Sequence, residues 1–219
     1  MNGYGVDLVL VIDKTGSMRD IFEGTKQNAL VLRQKIEQKL AEEQQEGIGL
    51  MRVRVIGFGA LDGDGVHTFV SSDFFELPGD ESDFRDFVAG VRCEGGGEES
   101  GLAALSLALG GDWMDSGRRA RHIIAMFTDE DSASLEKDSR NPACPAGVAS
   151  NMSELSAQWM SQDINQRGKR LIMVAPSNTV YDNEIAYRWD HSRFFELGRD
   201  IQTMNFDAIV SVISSSISA

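Results

Sequence analysis

The stretch VLVIDKTGSM, at residues 9–18, decides the fold of this 219-residue chain. Its first half belongs to a continuous aliphatic run over residues 7–12, which is too short for a helix core and has the length of a strand buried on both faces. Its second half places three polar side chains at alternate positions directly after that strand, namely Asp13, Thr15 and Ser17. The stretch therefore predicts a buried strand whose carboxyl end carries oxygen-bearing side chains.

Outward from this stretch, helical and strand patterns alternate along the chain. Apolar residues at helical spacing predict helices at 21–40, 80–91, 101–109, 152–166 and 205–217. Further strands are predicted at 51–58, 123–128 and 171–175, with a hairpin through DGDG at 62–65 that leads into another strand, whereas 132–150 resembles a loop. This alternation predicts an α/β fold, with a doubly wound, mostly parallel central sheet flanked by helices, in a single domain over residues 1–219.

The composition argues against several classes of partner. The chain has 34 acidic and 21 basic residues, for a net charge of −13. Phosphate binding is dominated by Lys and Arg contacts, so this balance argues against nucleic acid and anionic membranes, although acidity for solubility alone explains it equally well. The sequence contains no 18-residue apolar run, and its N-terminus lacks the basic region and cleavage site of a signal peptide. We therefore expect a cytoplasmic protein.

Three polar clusters fall where an open α/β sheet binds ligands, beyond the carboxyl ends of its strands. The first follows the strand at 7–12, the second opens the helix at 101–109, and the third follows the strand at 123–128. Their members are Asp13, Thr15 and Ser17, then Glu98, Glu99 and Ser100, then Asp129 and Asp131. Every candidate ligand atom is an oxygen, and such hard ligands select Mg²⁺, Mn²⁺ or Ca²⁺ over zinc or copper.

The same clusters resemble the metal-ion-dependent adhesion site of von Willebrand factor A-type (vWA) domains. VLVIDKTGSM resembles its first element, an Asp-x-Ser/Thr-x-Ser pattern after a buried strand. The GGG loop at 95–97 resembles the second element, which normally supplies a threonine, and FTDED at 127–131 resembles the third. The order of strands and helices also agrees, so the resemblance covers nearly the whole chain. It is closest to stand-alone bacterial forms, such as those of tellurite-resistance and stress-related gene clusters.

This resemblance implies a divalent-cation-dependent protein–protein interaction module and not an enzyme. In that family two hydroxyls touch the cation, the aspartates act largely through bound water, and a carboxylate of the protein partner completes the coordination. Carried over, the resemblance implies that Mg²⁺, or Mn²⁺ or Ca²⁺, is bound by Asp13, Thr15, Ser17 and Asp129, and we expect Glu98 as a fifth ligand at the position where this chain departs from the family.

One position departs from the family pattern. Glu98 stands where the threonine is expected. Either Glu98 is a direct ligand, which we favour, or the loop is shifted and Ser100 serves. A third reading is a solvated acidic loop at a helix N-terminus, where the helix dipole stabilises carboxylates. Glu130 and Asp131 are expected at the rim of the site, and Lys14 is expected to point away from it.

A second resemblance implies a different class of protein. DKTG is similar to the phosphorylated-aspartate motif of haloacid-dehalogenase-type enzymes, in which the aspartate is a nucleophile and Mg²⁺ shields the phosphate. In that reading Asp13 would be phosphorylated, with Lys169 and the TDED run in supporting roles. The sequence Ser17-Met18-Arg19 does not match the Thr-Leu-Thr continuation of that motif, and the acidic run precedes the lysine, which is the wrong order.

Overall fold

A seven-stranded sheet forms the centre of the molecule. The computed structural model describes residues 3–19, 22–23, 31–61, 69–115, 119–164, 166–197 and 206–218. The strands are β1 (Tyr4–Asp13), β2 (Ile48–Phe58), β3 (Val70–Ser71), β4 (Phe75–Leu77), β5 (Ala120–Phe127), β6 (Lys169–Ala175) and β7 (Ser192–Glu196). Their order is β3-β2-β1-β5-β6-β7, and β4 also pairs with β2. Only β3 and β4 run antiparallel to their neighbour, so the predicted mostly parallel sheet is confirmed.

Helices cover both faces of this sheet. The described ones are α1 (Leu32–Glu42), α2 (Glu81–Gly90), α3 (Gly101–Leu109), α4 (Leu135–Asp138), α5 (Met152–Trp159) and α6 (Phe206–Ser218), together with a π-helix (Tyr181–Ala186). The α1, α2 and α6 helices pack on one face, and α3, α5 and the π-helix pack on the other. The doubly wound α/β arrangement predicted from the sequence is therefore confirmed.

The alternation of side chains along β1 explains why both faces need cover. Leu8, Leu10 and Ile12 enter the hydrophobic cluster on the α1 side, whereas Val9 and Val11 enter the cluster on the α3 side. Successive strand residues point to opposite faces, so an unbroken aliphatic run can be buried only in a sheet that is packed on both sides. The aliphatic run of β1 therefore requires helices on both faces of the sheet.

Some elements differ from the prediction. Neither β4, which has only three residues, nor β7, an edge strand whose side chains are largely exposed and lack an aliphatic run, was predicted from the sequence. A loop was predicted where α4 forms. The α5 helix ends at Trp159, before the predicted 166, because the Ser161 hydroxyl bonds to the Asp163 carboxylate and accepts from its backbone N–H, which favours a turn.

Two predictions fall partly or wholly outside the described residues. The hairpin at 62–65 lies outside them, as does much of the predicted helix at 21–40, of which residues 22–23 and 32–40 are described as helical. Within the described part of the chain, no helix combines the length and apolarity needed to cross a membrane.

The strand order fixes where a ligand would bind. The chain proceeds from β1 to β2 on one side and later returns to pair β5 with the other side of β1. The carboxyl ends of β1 and β5 therefore lie side by side at the point where the winding reverses, the usual ligand position in open α/β sheets.

Candidate metal centre

Three carboxylates converge at the carboxyl ends of β1 and β5. Asp13 ends β1, Asp129 follows β5, and Glu99 lies just before α3. One oxygen from each of the three lies within 4.8 Å of the others. Asp13 and Glu99 are 0% and 2% exposed, and Asp129 is half-buried. We call these three residues the acidic triad.

The loop after β1 turns back onto Asp13. Its Oδ1 accepts from the backbone N–H of Thr15 at 2.8 Å and from the Thr15 hydroxyl at 2.7 Å. The Thr15 and Ser17 hydroxyl oxygens lie 3.2 Å apart. This turn, over residues 14–17 (the first loop), thus brings two hydroxyls of the predicted set beside the triad, with Thr15 buried and Ser17 exposed.

Thr128 connects two members of the triad. Its hydroxyl lies 3.0 Å from Asp13 Oδ2 and 3.3 Å from Glu99 Oε2. A hydroxyl has a single hydrogen, so it donates to one carboxylate at a time. The site is therefore rich in oxygen acceptors and poor in donors.

The second loop, residues 94–100, is fixed by backbone contacts to its neighbours. Glu94 N–H donates to Lys14 O at 2.9 Å, and Ser100 N–H donates to Gly59 O at 3.1 Å. Gly95 and Gly97 have φ angles of 89° and 135°, which side chains with a Cβ rarely adopt. The two glycines let the chain turn sharply before it delivers Glu99 to the triad.

The third loop, residues 128–134, is joined directly to the second. Ala133 N–H donates to Glu99 O at 2.7 Å, and the Ser132 hydroxyl accepts from Leu102 N–H at 2.9 Å. Ser132 thereby caps the first turn of α3, which receives no side-chain cap from its own N-cap residue Ser100. The two loops consequently act as one support for Glu99.

Burial beside other acids shifts the protonation of Glu99 and Asp129. Burial raises the pKa of Glu99 to about 9, and the adjacent Asp13 and Asp129 carboxylates add to this shift, while Thr15 opposes it. Burial also raises the pKa of Asp129, against an opposing contribution from the Ser17 hydroxyl. Among the described residues, no Lys or Arg forms an ion pair with the triad, and Asp129 Oδ1 is buried without a hydrogen-bond partner.

The structure corrects the expectation for Glu98. Its side chain is 56% exposed and pairs with Lys137 Nζ at 2.6 Å, on the outside of the second loop. Glu99, the next residue, occupies the position in the triad. The physical reason is the turn at Gly95 and Gly97 together with the bridge between Glu99 and Ser132, which sets the register of the loop.

Ser100, the alternative considered from the sequence, has a different contact. Its buried hydroxyl accepts from Leu61 N–H at 3.2 Å and so fixes the chain that follows β2. The structure thus brings together Asp13, Thr15, Ser17 and Asp129 of the predicted set, and adds Glu99 and Thr128.

The residues expected around the site also have defined positions. Lys14 is 4% exposed and its methylene groups lie against Gly57, while burial lowers the pKa of its amine. Glu130 is exposed at the rim. Asp131 is exposed as well, and its Oδ1 accepts from Ser132 N–H at 2.8 Å and from Val180 N–H at 3.0 Å.

Signals for the two residues missing from the prediction are present in the sequence. Glu99 directly precedes Ser100, the N-cap residue of α3, so counting back from the helix start would have favoured it over Glu98. Thr128 is the single polar residue between an aliphatic strand and the Asp129 carboxylate. A hydroxyl at that position is placed beside whatever the aspartate binds.

Lys169 cannot serve a reaction at Asp13. It begins β6, which is parallel to β5 and β1, so it lies at the opposite edge of the sheet from the end of β1. Its Nζ is buried there and donates to Trp159 O at 2.7 Å and to Gln166 Oε1 at 2.6 Å. The role that the haloacid-dehalogenase reading gave to Lys169 is therefore wrong.

Comparison with known proteins relates the chain to vWA domains through its fold. No protein-family model matches the sequence, and no curated protein matches it either. Among solved structures, a von Willebrand factor type A protein from Catenulispora acidiphila superposes with a TM-score of 0.55 at 13% identity, over 98% of this chain and 43% of that one. The pilus adhesin SpaC of Lactobacillus rhamnosus GG, in its open conformation, gives 0.54 at 12% identity, over 99% of this chain and 30% of that one.

A second form of SpaC gives a TM-score of 0.57 at 12% identity, over 99% of this chain and 31% of the adhesin. The chain thus has the vWA-type fold, and it spans less than half the length of these structural neighbours. The resemblance inferred from the sequence is confirmed at the level of the fold. The closeness to the tellurite-cluster type stays a prediction.

The donors of the triad suit a hard divalent cation. Three carboxylates and the hydroxyls of Thr15, Ser17 and Thr128 surround one position, and no histidine or cysteine belongs to the cluster that the described residues form. Oxygen-only sites of this kind are typical of Mg²⁺, Mn²⁺ and Ca²⁺. A cation would also give the buried Asp129 Oδ1 the partner it lacks.

Proposed function

We propose that this chain is a divalent-cation-dependent protein-interaction module of a single vWA-type domain, in which the cation is bound by Asp13, Glu99 and Asp129 with the hydroxyls of Thr15 and Ser17. The observation that carries the proposal is the convergence of three buried or half-buried carboxylates, within 4.8 Å of one another, with no basic partner among the described residues. Such a cluster costs folding free energy unless a cation compensates its charge. Mg²⁺ is the first candidate, with Mn²⁺ and Ca²⁺ as alternatives.

Binding fits the site better than catalysis. The first loop exposes Gly16 and Ser17 to solvent, so a partner can approach the cation from outside. The hydroxyls near the triad face carboxylates and one another, and among the residues that the structure describes none of them is hydrogen-bonded to a histidine or lysine that could activate it as a nucleophile. We therefore propose that the module is not an enzyme. The occurrence of the fold in a pilus adhesin agrees with an interaction role.

Charge determines how such a site would bind its partner. Three ionised carboxylates with one divalent cation leave a net charge of about −1, whereas a site of two aspartates would be neutral. An acidic partner side chain is therefore attracted less than by a hydroxyl-rich site. We propose that the surrounding loops, with exposed Glu130 and Asp131 at the rim, contribute most of the partner recognition.

Isothermal titration with Mg²⁺ and Mn²⁺ tests the cation site. We expect one site per chain in the wild type and none in Asp13→Ala or Asp129→Ala, with far-UV circular dichroism unchanged. A pull-down with the immobilised chain in Mg²⁺ or EDTA tests the interaction, and the recovered proteins should be absent with EDTA and with Asp13→Ala. Cation binding that persists in both variants would contradict the assignment.

Replacement of Glu99 tests the charge argument. Glu99→Thr should weaken Mg²⁺ binding and improve Mg²⁺-dependent capture of an acidic peptide, because the cation loses one internal carboxylate. Glu98→Thr is the matched control, since Glu98 contacts Lys137 and not the triad. Equal behaviour of the two variants would show that Glu99 is not a ligand.

A further inference from the structure

Tyr181 reaches the metal centre from the π-helix. Its side chain is fully buried, and its hydroxyl lies against Gly101, the first residue of α3. A Cβ at position 101 would stand 2.0 Å from that hydroxyl, so only glycine fits there. The phenol therefore ends directly behind Glu99 and Ser100, where the second loop becomes a helix.

The hydroxyl of Tyr181 has no hydrogen-bond partner within the described part of the chain. The Ser132 hydroxyl lies near enough to lower the pKa of Tyr181 but is not hydrogen-bonded to the phenol, and it donates its own hydrogen to Ala133 O and accepts from Leu102 N–H, each at 2.9 Å. A buried hydroxyl without a partner destabilises the fold, so its presence calls for a physical explanation. Phenylalanine would fill the same space without this cost.

The backbone around Tyr181 is fixed, which prevents the phenol from turning away. The Asp182 carboxylate accepts from Asn178 N–H and Thr179 N–H, each at 2.8 Å. Asp131 of the third loop accepts from Val180 N–H at 3.0 Å. The segment that carries Tyr181 is thus tied to the third loop, and it continues as a π-helix, a rare conformation that occurs frequently at functional sites.

The electrostatic surroundings keep the phenol a donor. Burial raises the pKa of Tyr181, the nearby Ser132 hydroxyl opposes this shift, and the negative charges of Asp131, Asp13 and Glu99 add to it. Two members of the acidic triad, Asp13 and Glu99, thus contribute to the electrostatic surroundings of this hydroxyl. A protonated phenol donates a hydrogen bond and does not compete for the cation as an anion.

We propose that Tyr181 is a positioning residue of the metal centre, whose buried hydroxyl donates a hydrogen bond to an oxygen of the cation-loaded site. This inference rests on the proposed cation site and deepens it. The hydrogen bond adds to the affinity for the cation and couples the π-helix to the second and third loops. Cation binding therefore affects the π-helix, although no carboxylate of that helix is a proposed ligand of the cation.

The test compares Tyr181→Phe with wild type in thermal unfolding and in Mg²⁺ titration. Without Mg²⁺ the variant should melt at the same or a higher temperature, because an unpaired buried hydroxyl is removed. Its midpoint for Mg²⁺ should rise by about fivefold or more, the effect of one lost hydrogen bond. Tyr187→Phe is the matched control, since Tyr187 follows the same π-helix and is 85% exposed.

A spectroscopic measurement distinguishes hydrogen bonding from packing. Mg²⁺ should change the near-ultraviolet tyrosine absorbance of the wild type and of Tyr187→Phe, and this change should be absent in Tyr181→Phe. An unchanged Mg²⁺ midpoint in Tyr181→Phe, or a lower melting temperature without Mg²⁺, would overturn the inference while leaving the cation site intact. A wild-type chain that binds no cation would overturn the proposed function, and the coupling with it.

Discussion

Strand β1 carries a completely buried aspartate near each end, and the two have opposite surroundings. Asp7, near the amino end, receives two hydrogen bonds from Arg52, at 2.8 and 2.7 Å, and a third from Met114 N–H at 2.6 Å. Asp13, at the carboxyl end, lies beside two further acids, Glu99 and Asp129. Its hydrogen bonds come from a backbone N–H and from hydroxyl groups.

This difference indicates that Asp7 stabilises the fold whereas Asp13 belongs to a binding site on the same strand. A buried carboxylate that is paired with a guanidinium and a backbone N–H is compensated within the fold. The three carboxylates of the triad have no basic partner among the described residues, so they are not compensated there, and a chain selected for stability alone would not retain them. Proteins keep such strained arrangements mainly at sites that bind something.

The largest expected effect is at the compensated end. Arg52→Ala leaves Asp7 buried without a cationic partner, with Met114 N–H as its remaining donor, and should lower the free energy of unfolding by about 3–5 kcal/mol. The Arg52 guanidinium also stacks over the Phe74 ring at 4.7 Å, and this contact is lost as well. Chemical denaturation in EDTA measures the change.

The control for this variant is Arg85→Ala. Arg85 pairs with Glu81 at 3.2 Å on the exposed surface of α2, and such pairs contribute only about 0–1 kcal/mol. If Arg52→Ala and Arg85→Ala had the same effect, the compensation of Asp7 would not depend on Arg52, and the contrast between the ends of β1 would fail.

The next effect concerns the uncompensated end. Mg²⁺ at 100 times its dissociation constant should stabilise the wild type by about 2.7 kcal/mol, and Asp13→Asn should abolish this gain. In EDTA the same variant should be no less stable than wild type, because a charge is removed from a cluster of acids. Thermal unfolding with and without Mg²⁺ measures both quantities, and an Mg²⁺ gain that survives in Asp13→Asn would refute the prediction.

A smaller effect follows from the protonation of Glu99. Its pKa rises from an ordinary 4.5 to about 9 in the folded chain, so between these pH values the folded state holds a proton that the unfolded state releases. Stability in EDTA should therefore fall as the pH rises from about 5 to 9. Glu99→Gln should remove most of this slope and gain about 1–3 kcal/mol at pH 8.

Mg²⁺ should reverse the trend, because the cation binds the deprotonated carboxylate and gains affinity as the pH rises. Urea denaturation of the wild type and of Glu99→Gln at pH 6, 7 and 8 measures the slopes. Parallel slopes for the two proteins in EDTA would mean that Glu99 does not hold the proton.

Much of the fold and part of the site were predictable from the sequence, because the patterns that determine them lie within short stretches of neighbouring residues. The aliphatic run before Asp13 has to be buried on both faces, which determines a doubly wound sheet, and the alternation of Asp13, Thr15 and Ser17 lies within one turn of chain. Asp129 follows a similar aliphatic run. In each case a few neighbouring residues contain the information.

The second loop contains no such local signal. The choice between Glu98 and Glu99 depends on left-handed backbone at Gly95 and Gly97 and on the bridge to Ser132, 33 positions further along the chain. The edge strand β7 was not predicted for a related reason. It lacks an aliphatic run, and its pairing with β6 is what makes it a strand. Contacts distant in sequence determine both features.

The smallest expected effect sharpens the contrast within the pair of adjacent glutamates. Glu98 pairs with Lys137 through side chains that are 56% and 44% exposed, and an exposed pair contributes about 0–1 kcal/mol. Glu98→Gln should therefore change the free energy of unfolding by less than about 1 kcal/mol and leave the Mg²⁺ midpoint unchanged. The change in free energy should be smaller still at high salt, because salt screens exposed charges. Because Lys137 belongs to α4, which directly follows the third loop, a shift in Mg²⁺ affinity would show that this surface pair restrains the loops around Glu99. Mg²⁺ titration of Glu98→Gln and Glu99→Gln, at low and high salt, decides whether Glu99 binds the cation while the adjacent Glu98 does not.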